Sequence, residues 1–176
     1  MYIDTRLRFG FAFVEELQLL KGSGVGNNLS RLLTAATAYS GAVGGDTKID
    51  TLRRAVAQLE STEFSATGII VNPIDWEAIA LVKTTEGEYV VGDPSGTNPA
   101  QLWGLPVVSS NSMTVGTFLV ADFPQAALIL DRMQPRVDIP TETEDDFLQN
   151  MAQVRAEERL GLAILRPGGL IKGTFA

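Results

Sequence analysis

The chain has 176 residues, of which 45% are hydrophobic and 20% charged, so it can bury a core as one domain or two small ones. It contains no cysteine and no histidine, which excludes disulfides, cysteine-based zinc sites and a Ser-His-Asp triad, and which removes the commonest metal ligand. A net charge of −7 disfavours sequence-specific DNA binding, and no run of apolar residues approaches the ~20 that a membrane span needs.

The chain opens with a predicted helix over residues 3–20. Four apolar residues fall at helical spacing, and a lysine followed by a glycine is typical of a helix end. These residues are Ile3, Leu7, Val14 and Leu17, and then Lys21 and Gly22.

The loop after this helix, Gly22 to Asn28, is rich in glycine. Glycine loops can hold phosphates, but this one lacks the Gly-Lys-Ser/Thr ending of a P-loop and follows a helix where the dinucleotide motif requires a strand. A structural connection is therefore favoured over a nucleotide site.

The middle of the chain predicts short helices and strands in alternation, separated by turn residues. The predicted elements are a helix from a cap at Asp46 or Thr47 to Glu60, a strand at Thr67–Val71, a helix that Asp75 opens and that runs to Val82, a hairpin turn at Glu86–Gly87, a polar loop at Gly92–Pro99, and strands at Leu105–Val108, Thr117–Ala121 and Ala127–Leu130.

The composition changes after Asp131, where an acidic cluster precedes a long ambiguous segment, Phe147–Leu165. Its residues favour a helix, yet its apolar residues recur with a period of two, so it is predicted to be mainly a long strand. A further strand is predicted at Leu170–Phe175. We expect the opening helix and these final strands to form one subdomain, which makes the fold α+β.

Local motifs then follow one another in order along nearly all of the chain. They are Arg8-Phe9-Gly10, Glu15-Glu16, Gly22-Ser23-Gly24-Val25-Gly26, Ala36-Thr37-Ala38-Tyr39, Glu63-Phe64-Ser65-Ala66, Val71-Asn72-Pro73, Asp75-Trp76, Trp103-Gly104-Leu105-Pro106-Val107-Val108, Glu157-Glu158-Arg159-Leu160, Arg166-Pro167 and Ile171-Lys172-Gly173-Thr174-Phe175. None is specific alone. By their order and spacing, the chain resembles the major capsid proteins of tailed double-stranded-DNA bacteriophages, which have the Hong Kong ninety-seven (HK-type) fold.

The resemblance implies a domain organisation. Residues 23–132 would form an axial (A) domain, and residues 1–22 together with 133–176 a peripheral (P) domain. It also implies that the family's N-terminal arm, its extended E-loop and most of its long spine helix precede the part of the pattern found here.

The resemblance further implies a structural subunit of an icosahedral phage or prophage shell that encloses DNA. Its partners would be copies of itself and packaged DNA bound without sequence specificity, with no membrane, no cofactor and no metal. Its place would be the virion capsid, assembled in the bacterial host cytoplasm. In the family, a loop such as Gly92–Pro99 lies at the centre of capsomers, so Pro94, Thr97 and Asn98 are expected to contact neighbouring subunits. The chain alone is expected to be a monomer or a small oligomer.

In the crosslinking branch of the family, an E-loop lysine forms an isopeptide bond to an asparagine while a glutamate accepts a proton. Asn150 and Glu157 lie where those two residues would be. The alternative interpretation is a solvated asparagine and a surface glutamate paired with Arg155 or Arg159. Any such reaction would occur once per subunit, so turnover as an enzyme is not expected.

Two other functions stay open. An encapsulin-like nanocompartment subunit would share the fold but enclose enzymes. A carboxylate-dependent enzyme would need a deep pocket with convergent acids at the Gly22–Asn28 loop.

Overall fold

The computed structural model describes residues 2–91, 100–139 and 153–175, and it consists of a six-stranded sheet with flanking helices and a separate two-stranded ribbon. The helices are α1 (Tyr2–Lys21), α2 (Leu32–Ala35), α3 (Lys48–Glu60), α4 (Pro73–Ala80) and α5 (Phe123–Ala126). The strands are β1 (Thr37–Ala38), β2 (Gly68–Val71), β3 (Gln101–Leu102), β4 (Leu105–Ser109), β5 (Thr117–Ala121), β6 (Ala127–Asp138), β7 (Arg155–Ile164) and β8 (Leu170–Thr174). A 3-10 turn at Pro167–Gly169 leads into β8. None of the helices in these ranges is long and apolar enough to cross a membrane.

The six strands of the sheet lie in the order β1-β8-β5-β2-β4-β3. β5 is antiparallel to both of its neighbours, β8 and β2, whereas β1 runs parallel to β8 and β4 runs parallel to β2. Side chains of a strand alternate between the two faces of a sheet, so a strand that is apolar at every position can be buried on both. β5 has this pattern, and Phe118 to Ala121 are all buried.

Two hydrophobic cores lie on the two faces of the sheet. On one face, Phe118 and Val120 pack with the buried stripe of α3 and with Ile171. On the other, Leu119 and Ala121 pack with the end of α1, α2 and α5. β5 contributes buried apolar side chains to both faces of the sheet, and it therefore connects the two cores.

The caps of α3 and α4 explain where these helices begin. Thr47 accepts a hydrogen bond from the Asp50 backbone, and the Asp50 side chain accepts one from the Thr47 backbone, which is a complete capping box. The prediction of a cap at Thr47 is confirmed. The prediction that α4 begins at Asp75 is wrong, since the helix begins at Pro73 with Asn72 as its cap. Proline is tolerated at the first helical position because no hydrogen bond is lost there.

Most of the other predicted elements are present, with changes in length. The helix over 3–20, the strands at 67–71, 105–108, 117–121 and 170–175, and the turn at Glu86–Gly87 are confirmed within one or two residues. The strand predicted at Ala127–Leu130 is wrong in length, since β6 continues to Asp138. Within Phe147–Leu165, the strand is confirmed as Arg155–Ile164, and the part before residue 153 lies outside the described residues.

The expected division into two domains differs from the structure in two places, because β6 begins at Ala127, inside the expected axial range, and because β8 joins the axial sheet. α1 lies against β7, as expected for the peripheral unit, and also against β6. β8, however, pairs with β5 on one side and with β1 on the other, so residues 170–174 belong to the sheet of the 23–132 unit. The apolar residues Leu170 and Ile171 each face one of the two cores, which is the physical reason for this placement.

Asp75 is a fully buried carboxylate that joins three parts of the fold. It accepts hydrogen bonds from Lys48 Nζ at 2.7 Å and from the Gly116 backbone nitrogen at 2.6 Å. Lys48 opens α3, and Gly116 immediately precedes β5. A buried charge is tolerated only when it is paired in this way, so Asp75 fixes α4 against α3 and against the start of the central strand.

We therefore expect Asp75→Ala to lower the free energy of unfolding by about 2–3 kcal/mol, because the change leaves the Lys48 ammonium and the Gly116 N–H without their acceptor. Urea denaturation measures this. The control is Asp4→Ala, which removes an exposed ion pair with Arg8 and should cost less than about 1 kcal/mol. Equal losses in both variants would contradict a central role for Asp75.

Candidate functional site

Some of the site residues that sequence analysis selected lie within the described ranges, and others lie outside them. Asn150 lies in 140–152, and Pro94, Thr97 and Asn98 lie in 92–99, so these four are outside the described residues. Glu157 lies inside it, in the middle of β7. The site can therefore be built from Glu157 and its surroundings.

Glu157 belongs to a network of four charged residues on one face of the β6–β7 ribbon. Its Oε1 lies 2.8 Å from Arg136 Nη2 and 3.6 Å from Arg155 Nη2. Asp138 Oδ2 contacts the same two arginines, at 3.1 Å and 3.3 Å. Glu157 thus lies near Arg155, as in the alternative interpretation of a surface ion pair. Its nearer partner, Arg136, was not predicted from the sequence.

The pairing of Arg136 with Glu157 follows from strand register, since the two residues lie opposite each other. Two register shifts between Asp131 and Arg136 produce this alignment. Because two arginines stabilise the charged carboxylate, Glu157 in the single chain is arranged as an ion-pair partner. Its role in a crosslink stays a prediction.

Glu158 points to the opposite face of β7 and lies in different surroundings. The face contains Ala156, Leu160 and Leu162, so the carboxyl occupies a position in an apolar row. Burial raises the pKa of Glu158, and the nearby charges of Glu15 and Asp131 raise it further. The sequence signal that could have found this residue is the acidic side chain at an even-numbered position of the strand.

A cleft of about 640 Å³ lies between α1 and β7, where Glu15 and Glu158 contribute to its lining. The remaining lining residues are Phe11, Val14, Gln18, Asn27, Asn28, Leu29, Arg159 and Leu160. The cleft thus combines two carboxylates and one guanidinium, that of Arg159, with apolar and amide side chains. In the described part of the chain, no group of three acidic side chains is placed to hold a metal ion.

The loop at Gly22–Asn28 has a structural reason for its glycines. A Cβ at Gly22 would lie 2.3 Å from the Leu29 carbonyl oxygen, and Gly24 and Gly26 have φ of 69° and 64°. Ser23 and Ser30 form a bridge that closes the loop. The preferred interpretation as a structural connection agrees with these features.

Large apolar side chains are exposed along α1 and the ribbon. In α1, Leu20 is the buried residue, while the rest of the helix is exposed or half-buried. In the described residues of these two elements, the exposed apolar side chains are Tyr2, Ile3, Phe9, Phe13, Val14, Leu17, Leu128, Ile129 and Leu130. Many exposed apolar side chains on two neighbouring elements favour an interaction surface. We call it the arm surface.

Comparison with known proteins connects these features to a family. The sequence model of the Phage capsid family matches residues 1–175. The major capsid protein of Enterobacteria phage HK97 is 45% identical over 177 residues, which cover 99% of this chain and 46% of that protein. The chain therefore spans about half the length of this relative.

Solved structures are similar in fold. The capsid of an empty GTA particle matches with a TM-score of 0.78 and 20% identity, over 99% of this chain and 65% of that one. A solved structure from Microbacterium phage Oxtober96 matches with a TM-score of 0.72 and 15% identity, over 95% of this chain and 62% of that one. The SrpI encapsulin of Synechococcus elongatus matches with a TM-score of 0.65 and 13% identity, over 98% and 65%.

Glu158 yields a prediction on pH dependence. The folded state raises the pKa of this carboxyl, so the charged form destabilises the fold above that pKa and the penalty disappears as the pH falls through it. We expect Glu158→Gln to be more stable than the parent at pH 7, by roughly 0.3–1 kcal/mol, and equal to it at acidic pH. Thermal unfolding across pH measures the difference.

The control for this experiment is Glu86→Gln, which changes an exposed residue of the 86–87 turn. Its stability difference from the parent at pH 7 should stay near zero, because substitutions of exposed side chains usually change stability little. A Glu158→Gln variant that is less stable than the parent at pH 7 would contradict the repulsion among Glu158, Glu15 and Asp131.

Proposed function

The chain belongs to the phage capsid family, and we propose that it is the shell-forming part of a major capsid protein, a structural subunit of an icosahedral phage or prophage shell that encloses DNA. Copies of the same chain are its main partners. Its role is structural, with packaged DNA held without sequence specificity and with assembly in the bacterial host cytoplasm.

The observation that carries this proposal is the arm surface. A two-stranded ribbon is marginally stable by itself, and β6–β7 leaves Leu128, Ile129 and Leu130 about half exposed. α1 adds Phe9 with 62% of its surface exposed. The free energy falls when a neighbouring subunit covers such apolar side chains. Obligate interfaces of this kind commonly bury more than ~2,000 Å².

The domain division enters the proposal in its corrected form. The axial unit comprises residues 23–126 together with 170–174, and α1 with the β6–β7 ribbon forms the peripheral unit. The pairing of β8 with β5 supports the first assignment. The position of α1 against β6 and β7 supports the second.

The encapsulin-like shell is the alternative function, and the fold likeness to the SrpI encapsulin is what favours it. The two functions differ in what the shell encloses. The 45% identity to a phage major capsid protein supports the phage function. Nuclease-protected DNA in purified particles would favour the phage function, whereas a co-purified cargo enzyme would favour the encapsulin function.

The assembly proposal can be tested in a chimera. This chain replaces the aligned part of the phage HK97 major capsid protein, which supplies the remaining length of that relative. We expect particles by electron microscopy. Ile129→Asp places a charge on the arm surface and Thr97→Arg places one in the capsomer loop, so each should abolish particles while the subunit stays folded, because a buried unpaired charge is costly.

The matched control is Ile129→Val, which keeps the side chain apolar and β-branched and should assemble like the parent chimera. Circular dichroism checks that each variant is folded. Undiminished assembly of Ile129→Asp would contradict the role of the arm surface, and undiminished assembly of Thr97→Arg would contradict the role of the loop.

The crosslink is proposed as attack of an E-loop lysine amine on the side-chain amide of Asn150, which forms the isopeptide bond and releases ammonia, while Glu157 accepts the proton of the lysine. In chimeric particles that contain the E-loop of the relative, Asn150→Asp should remove any ladder of covalent oligomers on a denaturing gel, because the carboxylate that replaces the amide resists attack by an amine. Particles should persist. Glu157→Gln should slow the ladder at least tenfold, in line with the loss of a general base. A ladder that is unchanged in both variants would refute these roles.

A further inference from the structure

A groove of about 530 Å³ lies among the end of α1, α2 and β8. Its lining includes neither Glu157 and its network nor the carboxylates of the cleft between α1 and β7. The groove is therefore separate from the proposed crosslink residue Glu157 and from the acidic cleft.

The charged side chains that line this groove are all cationic. They are Lys21, Arg31 and Lys172, and the described lining contains no carboxylate. The chain as a whole has 21 acidic and 14 basic residues, so three cations without an acid are the reverse of its overall balance.

Each cation is positioned by the fold. Lys21 is the last residue of α1, directly after the buried Leu20 and before Gly22, whose close approach to Leu29 leaves no room for a side chain. Lys172 lies in β8, and its ammonium donates to the Leu33 carbonyl at 2.7 Å. Arg31 precedes α2 and donates to the Thr34 hydroxyl.

These charges are not neutralised within the described part of the chain. The ion pairs there involve six other basic residues, Arg8, Lys48, Arg53, Arg54, Arg136 and Arg155, and none of the three groove cations. Like charges brought together raise the free energy of the folded state. A bound anion would offset this cost and complete the site.

We propose that this groove binds a phosphate group. A tetrahedral phosphate offers three or four acceptor oxygens and can use several cations at once, whereas a planar carboxylate is satisfied by one bidentate arginine. Threonine hydroxyls add neutral donors beside the cations, from Thr34, Thr114 and Thr174. The rings of Tyr39 and Phe118 form an apolar wall that strengthens the electrostatic attraction.

The phosphate can come from two sources, free inorganic phosphate or the backbone of a nucleic acid. The inference goes beyond the proposed shell function, and binding is measured on the chain without assembly. Failure of phosphate binding would therefore leave the shell proposal intact, and failure of assembly in the chimera would leave the groove intact.

Calorimetric titration with pyrophosphate at low salt is the first test, and a measurable Kd that weakens with added salt is expected. Lys21→Met and Lys172→Met should each weaken binding about tenfold, since a charge-assisted hydrogen bond contributes on the order of 1.4 kcal/mol or more. Lys83→Met is the matched control, because Lys83 lies over the Tyr89 ring outside the groove. Lys21→Arg should restore most of the affinity.

Lys21 gives the safer variant, because Lys172 also holds the Leu33 carbonyl and its loss could loosen β8. Thermal unfolding distinguishes the two effects. A folded Lys21→Met variant that binds pyrophosphate as well as the parent would overturn the proposal, and so would a parent chain that shows no binding.

A second set of titrations distinguishes the two sources of the phosphate. If a nucleic-acid backbone occupies the groove, oligothymidylates of increasing length should bind the parent with progressively higher affinity. Lys21→Met should lower this affinity as much as it lowers the affinity for pyrophosphate. Binding of inorganic phosphate and pyrophosphate alone supports a site for the free ion. Equal or tighter binding of a polyglutamate peptide, lost in the same variants, would show a carboxylate site and overturn the assignment to phosphate.

Discussion

The antiparallel pairing of β5 with β8 is the constraint from which the shape of this chain follows. The two strands are neighbours across five residue pairs, from Thr117 with Thr174 to Ala121 with Leu170. The chain between them must therefore leave the sheet and return to the same place. It does so as the β6–β7 ribbon, whose ends meet where Ala127 lies opposite Ile164. The ribbon is thus an arm that projects from a finished core.

This geometry explains why so much apolar surface stays uncovered. The sheet completes its own cores on both faces, and α1 and the ribbon reach the second core near one end each, α1 through Leu20 and the ribbon through Ala127, Leu162 and Ile164. α1 reaches the core with Leu20 alone, at its final turn. In a protein that acts as a single copy, such an arm would be a liability for aggregation. In a subunit of a shell, the same arm supplies the area that binds neighbours, and membership of the phage capsid family fits that use.

The sequence was sufficient wherever one local signal determined the element. The cap at Asp46 or Thr47, the apolar run of β5 and the period of two in β7 each predicted a real element. The far half of β6 was not predictable in this way. It contains charged residues and Pro135, and only its register against β7, with two shifts, makes it a strand. Sequence analysis grouped β8 with the opening helix, and its pairing with β5 was not predictable for the same reason, since pairing across the sheet is a tertiary property. Asp75 looked like a helix cap because sequence shows the residue type but not its burial.

The charges of the candidate sites follow a related rule. Glu157 has a network of partners because strand register placed Arg136 opposite it, whereas Glu158, one residue later, faces Glu15 and Asp131. The cleft that contains Glu158 reaches Gln18, and the cationic groove begins at Lys21, three residues further along α1. The last turn of α1 therefore separates a cleft with surplus negative charge from a groove with surplus positive charge. Like charges that lie close together destabilise the folded state on each side of the helix. If folding alone determined the sequence, moving one charged residue from the cleft to the groove would make the chain more stable. The arrangement is better explained if each side is completed by something that binds there: a neighbouring subunit over the arm surface beside the cleft, and an anion in the groove.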